Sequence, residues 1–199
     1  MLRLERKLMI AALGITPLLA AWAITTPMDL QPSSELWVEG MSNVRGFKCT
    51  AQAMEAEVVT TRPDAAAALK FGEKAVTSVV FRVPADQLDC RNRQMNEHMQ
   101  KALKSGANPT IAFELGTYEL LDTSGKLRAK LAGTLSLGGV TKPITVDAEL
   151  VQEAAGGLRV KGVYDLRMTD FGLKAPSLMM GTMKVQDLVK VHFDLVLKN

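Results

Sequence analysis

From about residue 110 to the C-terminus, apolar side chains recur at every second position. Successive side chains of an extended strand point to opposite faces, so this period predicts strands rather than helices. Leu158, Val160, Gly162, Tyr164, Leu166 and Met168 share one face, and Arg159, Lys161, Val163, Asp165, Arg167 and Thr169 share the other. Val189, Val191, Phe193, Leu195 and Leu197 alternate with Lys190, His192, Asp194, Val196 and Lys198. Ile144, Val146, Ala148 and Leu150 form a third row, Leu131, Gly133, Leu135 and Leu137 a fourth, and Ile111, Phe113 and Leu115 a fifth. One apolar face and one wet face mark antiparallel strands.

Turn signals separate these rows: Ser124-Gly125, Gly138-Gly139 with Pro143, and Gly156-Gly157. Glycine pairs tolerate the positive φ that tight hairpins require. Earlier strands are expected at 34–44, 47–60 and 76–83, giving about eight in all. Eight strands joined by short hairpins close into an up-and-down barrel, filled by side chains or holding one small ligand. A β-sandwich is the competing architecture.

One stretch departs from period two. Met95, Met99, Ala102 and Leu103 follow helical spacing, with Asn92 as the expected N-cap and Gly106 as the expected stop. This helix lies near a barrel end, and its methionines are either core packing or an adaptable cover over a cavity. Met179, Met180 and Met183 form a second methionine group open to the same two readings.

The N-terminus has a different character. Arg3, Arg6 and Lys7 precede an uncharged run from Leu8 to Ile24, and Ala21-Trp22-Ala23 has the small-x-small pattern of a cleavage site. The run is short for a membrane span and contains Pro17. Residues 1–23 therefore read as a secretory signal peptide and 34–199 as the folded domain. An uncleaved anchor with a short tether is the alternative. Export places the protein in the periplasm or outside the cell, with no stable membrane span after cleavage. Cleavage removes three of the 24 basic residues and one of the 21 acids, bringing the net charge from +3 close to neutral.

That near-neutrality matters for partners. With aromatics at 5% and no basic stripe, the chain lacks the stacking platforms and cationic track of a nucleic-acid binder. Cys49 and Cys90 are the only cysteines, and an even count in an exported chain suggests one disulfide; two buried thiols are the other reading. No metal site, cofactor motif or catalytic constellation stands out. There is no phosphate loop and no nucleophile elbow, and His98 has no second histidine one turn on. Asp170-Phe171-Gly172 spells a kinase triplet without the accompanying loops. His192 is expected to be solvated on an outer face.

Several motifs, in order, resemble those of the YceI-like family. They are Ser34-Glu35-Leu36-Trp37-Val38-Glu39-Gly40 with Ser42-Asn43-Val44-Arg45-Gly46-Phe47, then Gly133 to Ile144 reading GTLSLGGVTKPI, then Thr169-Asp170-Phe171-Gly172-Leu173 with Pro176. The helix with Met95, His98 and Met99 also fits, so the resemblance spans about 34–198. It implies an exported, lipocalin-like eight-stranded antiparallel barrel, some members of which bind a polyisoprenoid along an apolar interior. The cysteines resemble a cysteine-containing subset of the family.

A lipid-binding protein is thus expected, not an enzyme, with an isoprenoid or quinone-like lipid as partner. The expected lining is Phe113, Leu115, Leu135, Leu137, Val146, Tyr164, Leu166, Phe193 and Leu195, with Met95, Met99 and Phe171 near an end. Tyr164 is the expected polar contact to a head group. Two other functions remain open: an enzyme on a lipid-like substrate, requiring inward polar groups such as Asp170 or His98, and a ligand-free, stress-related structural barrel.

Overall fold

The computed structural model describes residues 26–123, 126–153, 156–178 and 182–199. The expected signal peptide, Ser124-Gly125, Met179 and Met180 lie outside these residues, as does the side chain of Met183.

Among the described residues there are twelve strands. They are β1 (Thr26–Leu30), β2 (Glu35–Ser42), β3 (Gly46–Ala51), β4 (Glu55–Thr60), β5 (Val76–Pro84), β6 (Leu88–Asp89), β7 (Thr110–Thr123), β8 (Lys126–Leu137), β9 (Val140–Gln152), β10 (Leu158–Arg167), β11 (Ser177–Leu178) and β12 (Met183–Lys198). Two α-helices interrupt them, α1 (Ala65–Lys70) and α2 (Arg93–Leu103).

Eleven of these strands make eight staves, while β11 pairs only with β12, off the ring. β1 and β2 are one long strand broken by a bend, since both pair with β12. β3 and β4 are likewise one strand, pairing back onto β2 and β1 respectively. β5 and β6 pair with β4 and β3. β7, β8, β9, β10 and β12 then follow as antiparallel neighbours, and the β12–β1 pairing closes the ring. The expected closed antiparallel barrel of eight strands is therefore present, and the sandwich is not. Its first stave starts at Thr26, upstream of residue 34, with Met28 only 1% exposed.

Local chemistry explains the joints. The β8–β9 hairpin turns through Gly138 and Gly139 at φ +58° and +86°, a two-residue turn that side chains would strain. In β7 the register slips between Leu115 and Thr117. This bulge moves the inward row from Ile111, Phe113 and Leu115 to Tyr118 and Leu120, a switch that simple alternation misses. Helix α2 starts as expected, with Asn92 Oδ1 accepting from Met95 N–H at 3.0 Å. It ends earlier than Gly106, at Lys104 in the left-handed region (φ +55°). There the amides of Lys104 and Ser105 close on the carbonyls of Lys101 and Gln100.

The two barrel ends differ. At one end α1 lays Ala66 and Leu69, each 2% exposed, against Met28, Val58, Tyr118, Leu150, Leu158 and Leu197. Alanine favours helix intrinsically, and here it also allows close approach. The opposite end carries α2, the β2–β3 turn, the β8–β9 turn and a 3-10 turn at Met168–Phe171. A disulfide joins Cys49 in β3 to Cys90, just ahead of α2.

Candidate functional site

The inward faces of the staves enclose one elongated cavity of about 630 Å³. It reaches from Leu69, Ala129 and Leu150 beside α1 to Arg45, Asn92 and Gln94 beside α2. The lining at the α1 end is buried or half-buried, whereas Arg45, Gly46, Asn92 and Gln94 are exposed, so the mouth lies at the α2 end.

Much of the inward row is only half-buried. Leu115, Val191, Phe193 and Leu195 point away from bulk solvent yet keep accessible surface, because they face open lumen rather than packed neighbours. A filled barrel would bury them as fully as Val189 or Leu197, each 6% exposed.

Three glycines keep the lumen open. A Cβ on Gly40 would lie 2.3 Å from the Phe47 ring, one on Gly162 2.3 Å from Phe193, and one on Gly133 2.8 Å from Phe113. Each ring therefore lies flat on the barrel wall over a glycine of the adjoining strand instead of crossing the lumen. Only glycine gives a phenylalanine that seat, an aromatic–glycine pairing known to support sheets.

Of the expected lining residues, Phe113, Leu115, Leu135, Leu137, Val146, Tyr164, Leu166, Phe193, Leu195, Met95 and Met99 all border the cavity. Phe171 does not. It is 2% exposed and packs into the cluster of Leu137, Leu166, Met168 and Leu173. The 3-10 turn that closes at Gly172 (φ +62°) turns it into that cluster beside the mouth rather than into the lining. The first staves add Leu36, Val38, Phe47, Val79 and Phe81, and α1 adds Leu69. Their alternation was legible in the sequence, but which face turned inward was not.

The polar lining is sparse. Among the described residues no carboxylate and no lysine borders the cavity; Arg45, Asn92, Gln94 and His98 stand at the mouth. Ser42 also lines it, with its hydroxyl engaged by Val44 and Arg45 amides at 3.2 and 3.0 Å. The Tyr118 hydroxyl accepts from Val76 N–H at 3.1 Å. Burial, and secondarily the charge of Asp170, push the Tyr164 hydroxyl above its ordinary value of 10.0. It is thus a neutral donor at ordinary pH. Asp170 itself is exposed and outside the lining.

The Asp170-Phe171-Gly172 triplet has a structural setting. Asp187 caps this turn, accepting from the Thr169 amide at 2.8 Å and hydroxyl at 2.7 Å. Those bonds hold the Asp187 carboxyl below its usual 3.8. His192 is on the outer face but is not simply solvated. It stacks on Trp37 with ring centres 4.9 Å apart, and Nε2 lies 3.3 Å from Glu39 Oε2. Val196, also outward, is 4% exposed; the 31–34 loop bonds to its backbone through Gln31 and Ser34. Among the described residues no three His, Cys, Asp or Glu side chains converge as a metal site, and no helix is long and apolar enough to cross a membrane.

Comparison with known proteins places this geometry. A family model described as a YceI-like domain matches residues 33–197. A UPF0312 protein of Pseudomonas paraeruginosa is 31% identical over 113 residues, covering 52% of this chain and 57% of that protein. The chain thus spans little more than half the length of that curated relative. Among solved structures, BcnA of Burkholderia cenocepacia superposes with a TM-score of 0.66 at 20% identity, covering 84% of this chain and 99% of BcnA. A polyisoprenoid binding domain from Saccharophagus degradans superposes with a TM-score of 0.60 at 11% identity, covering 86% and 97%. At these identities the structural likeness concerns the fold.

Proposed function

This chain belongs to the YceI-like family, and from that premise we propose that it is an exported, non-catalytic carrier holding a polyisoprenoid or similar amphiphile in its barrel. The observation that carries the reading is the cavity: long, lined by apolar side chains and open at one end. A linear hydrocarbon exposed to water costs ~0.8 kcal/mol per CH₂. A tube closed by its own backbone hydrogen bonds removes that cost along the whole chain. The open lumen weighs against a filled structural barrel. Of the two polar candidates Asp170 lies outside the lining, while His98 borders it at the mouth with no carboxylate or lysine beside it in the lining among the described residues, which favours holding a ligand over converting it.

The neighbour described as a polyisoprenoid binding domain supports the ligand class. Tyr164, as a neutral hydroxyl in the lining, suits the head group of a quinone or phenol. Export is supported by the basic, apolar and small-residue order of residues 1–23. N-terminal sequencing of the mature protein tests it.

Organic extraction and mass spectrometry of protein purified from its own cells should yield a stoichiometric prenyl lipid. Repeated preparations without one would overturn the proposal. Leu195→Trp, which adds bulk toward open lumen, should lower lipid occupancy at a stability cost no greater than the roughly 1–3 kcal/mol of overpacking a filled core. Gly133 is a poorer site for this test, because any side chain there meets the Glu114 carbonyl.

A further inference from the structure

The mouth of the barrel carries features that a soluble rim does not need. Val44, in the β2–β3 turn, is 65% exposed, and Met41 and Leu188 on the adjoining outer wall are 52% and 37% exposed. Met41 and Leu188 border one shallow depression beside Lys48 and Lys190. Isolated exposed apolar residues are ordinary, but a group at the rim of an apolar cavity is informative.

The turn is built to leave water. Its amide groups are already satisfied: Ser42 N–H donates to the Arg45 carbonyl, Asn43 N–H to the Lys184 carbonyl, and Val44 and Arg45 N–H to the Ser42 hydroxyl. The Asn43 side chain bonds both ways to the facing segment, to the Thr182 carbonyl at 2.7 Å and the Lys184 amide at 2.9 Å. Entering an apolar phase is costly chiefly for unpaired polar groups, and these amides are paired.

Cations surround the same end. Arg45, Lys101, Lys104, Lys174 and Lys184 are exposed, and none forms an ion pair among the described residues. Asp86, Asp89, Asp170 and Asp187 oppose them, since Asn96 and Thr169 bond Asp89 and Asp187 without neutralising them, whereas Glu97 is paired with Arg93; Arg91, exposed and without an ion pair among the described residues, adds a sixth cation. At the α1 end Phe71 is more exposed still, at 78%, and Lys70 and Lys74 beside it form no ion pair among the described residues, but α1 seals that end with Ala66 and Leu69 and the cavity does not open there.

We propose that the mouth end of the barrel docks on an anionic lipid bilayer, with the Val44 turn and Met41 entering the interface and the rim cations meeting acidic head groups. Apolar insertion plus electrostatic attraction is the physical basis of peripheral membrane binding. The inference rests on the carrier reading, because docking the mouth on the membrane lets a prenyl chain pass between bilayer and barrel without crossing water.

The test is flotation of the purified protein with vesicles of phosphatidylethanolamine and phosphatidylglycerol, against vesicles of phosphatidylcholine alone. The wild type should float with the anionic vesicles, less so as salt rises. Val44→Asp combined with Met41→Asp should lower the bound fraction by at least about fivefold, and Arg45→Gln by a smaller factor. Phe71→Ser and Val163→Ser should float like wild type, and thermal melts confirm that each variant is folded. No flotation of the wild type, equal binding to both vesicle types, or loss with Phe71→Ser but not at Val44 would overturn the proposal. Extraction of the same preparations separates the two readings. Lipid without flotation removes the docking and leaves the carrier; flotation without lipid removes the carrier.

Discussion

Each end of the barrel carries a helix, and the two helices are held in different ways. Helix α1 is short but seated by burial: Ala65, Ala66, Ala68 and Leu69 are all at most 3% exposed. Helix α2 is nearly twice as long, yet none of its residues is fully buried. It is positioned instead by the Cys49–Cys90 disulfide, the Asn92 cap and the bonds of Asn96 to the Cys90 amide and Asp89 carboxylate. An end sealed by packing resists local opening, whereas an end fixed by a few tethers opens without disturbing the core. The contrast assigns α1 to stability and α2 to access.

Breaking the main tether should have the largest effect. Cys49→Ala with Cys90→Ala releases a link across 41 residues and should cost ~4 kcal/mol in denaturant unfolding on the loop-entropy estimate. Hydrogen exchange should accelerate in α2 while α1 stays protected; equal loss at both ends would break the comparison. Leu69→Ala should cost about 2–5 kcal/mol through the cavity it leaves, with the opposite exchange pattern. A cost near zero would mean that α1 is not a seal. Asn92→Ala removes the cap of α2 and should cost about 1 kcal/mol, read by thermal melting, with faster exchange confined to the first turn of the helix.

The smallest effect concerns the turn that buries Phe171. Thr169 holds the Asp187 carboxyl below its usual 3.8. A lowered folded-state pKa contributes stability above the unfolded value, and that contribution is lost as pH falls through the folded value. Wild type should therefore lose melting temperature slightly more than Asp187→Asn when pH drops below about 4. Parallel curves would show that the cap contributes nothing to the mouth end.

Legibility differed along the chain for physical reasons. From β8 to β12, strict alternation and glycine hairpins gave both the strands and the inward rows, since a single face is buried there. The first staves bend, so 47–60, expected as one strand, is divided into β3 and β4, and Thr26–Leu30 was hidden beside prolines. The Gly116 bulge reversed the parity of β7 and brought in Tyr118. Helix α1 carried a usable signal, a run of four alanines before Leu69, but is too short to stand out by periodicity. Phe171 is expected near an end of the lining, whereas its 3-10 turn sends it into the packed cluster of Leu137, Leu166, Met168 and Leu173. His192 is expected to be solvated because an outer strand position does not reveal which stave lies beside it; β2 does, and its Trp37 faces His192 directly.

By itself, the sequence determined the architecture. Period two, hairpin glycines and an Asn-capped helix are local statements, and each is satisfied within a few residues of its cause. Only tertiary structure decided what the architecture encloses. Whether inward side chains meet or leave a gap depends on all eight staves at once, and on three phenylalanines lying flat over glycines of adjoining strands. The same holds for the mouth: the Val44-Arg45 turn, α2 and Lys184 are far apart in the chain, and ring closure alone brings them to one rim.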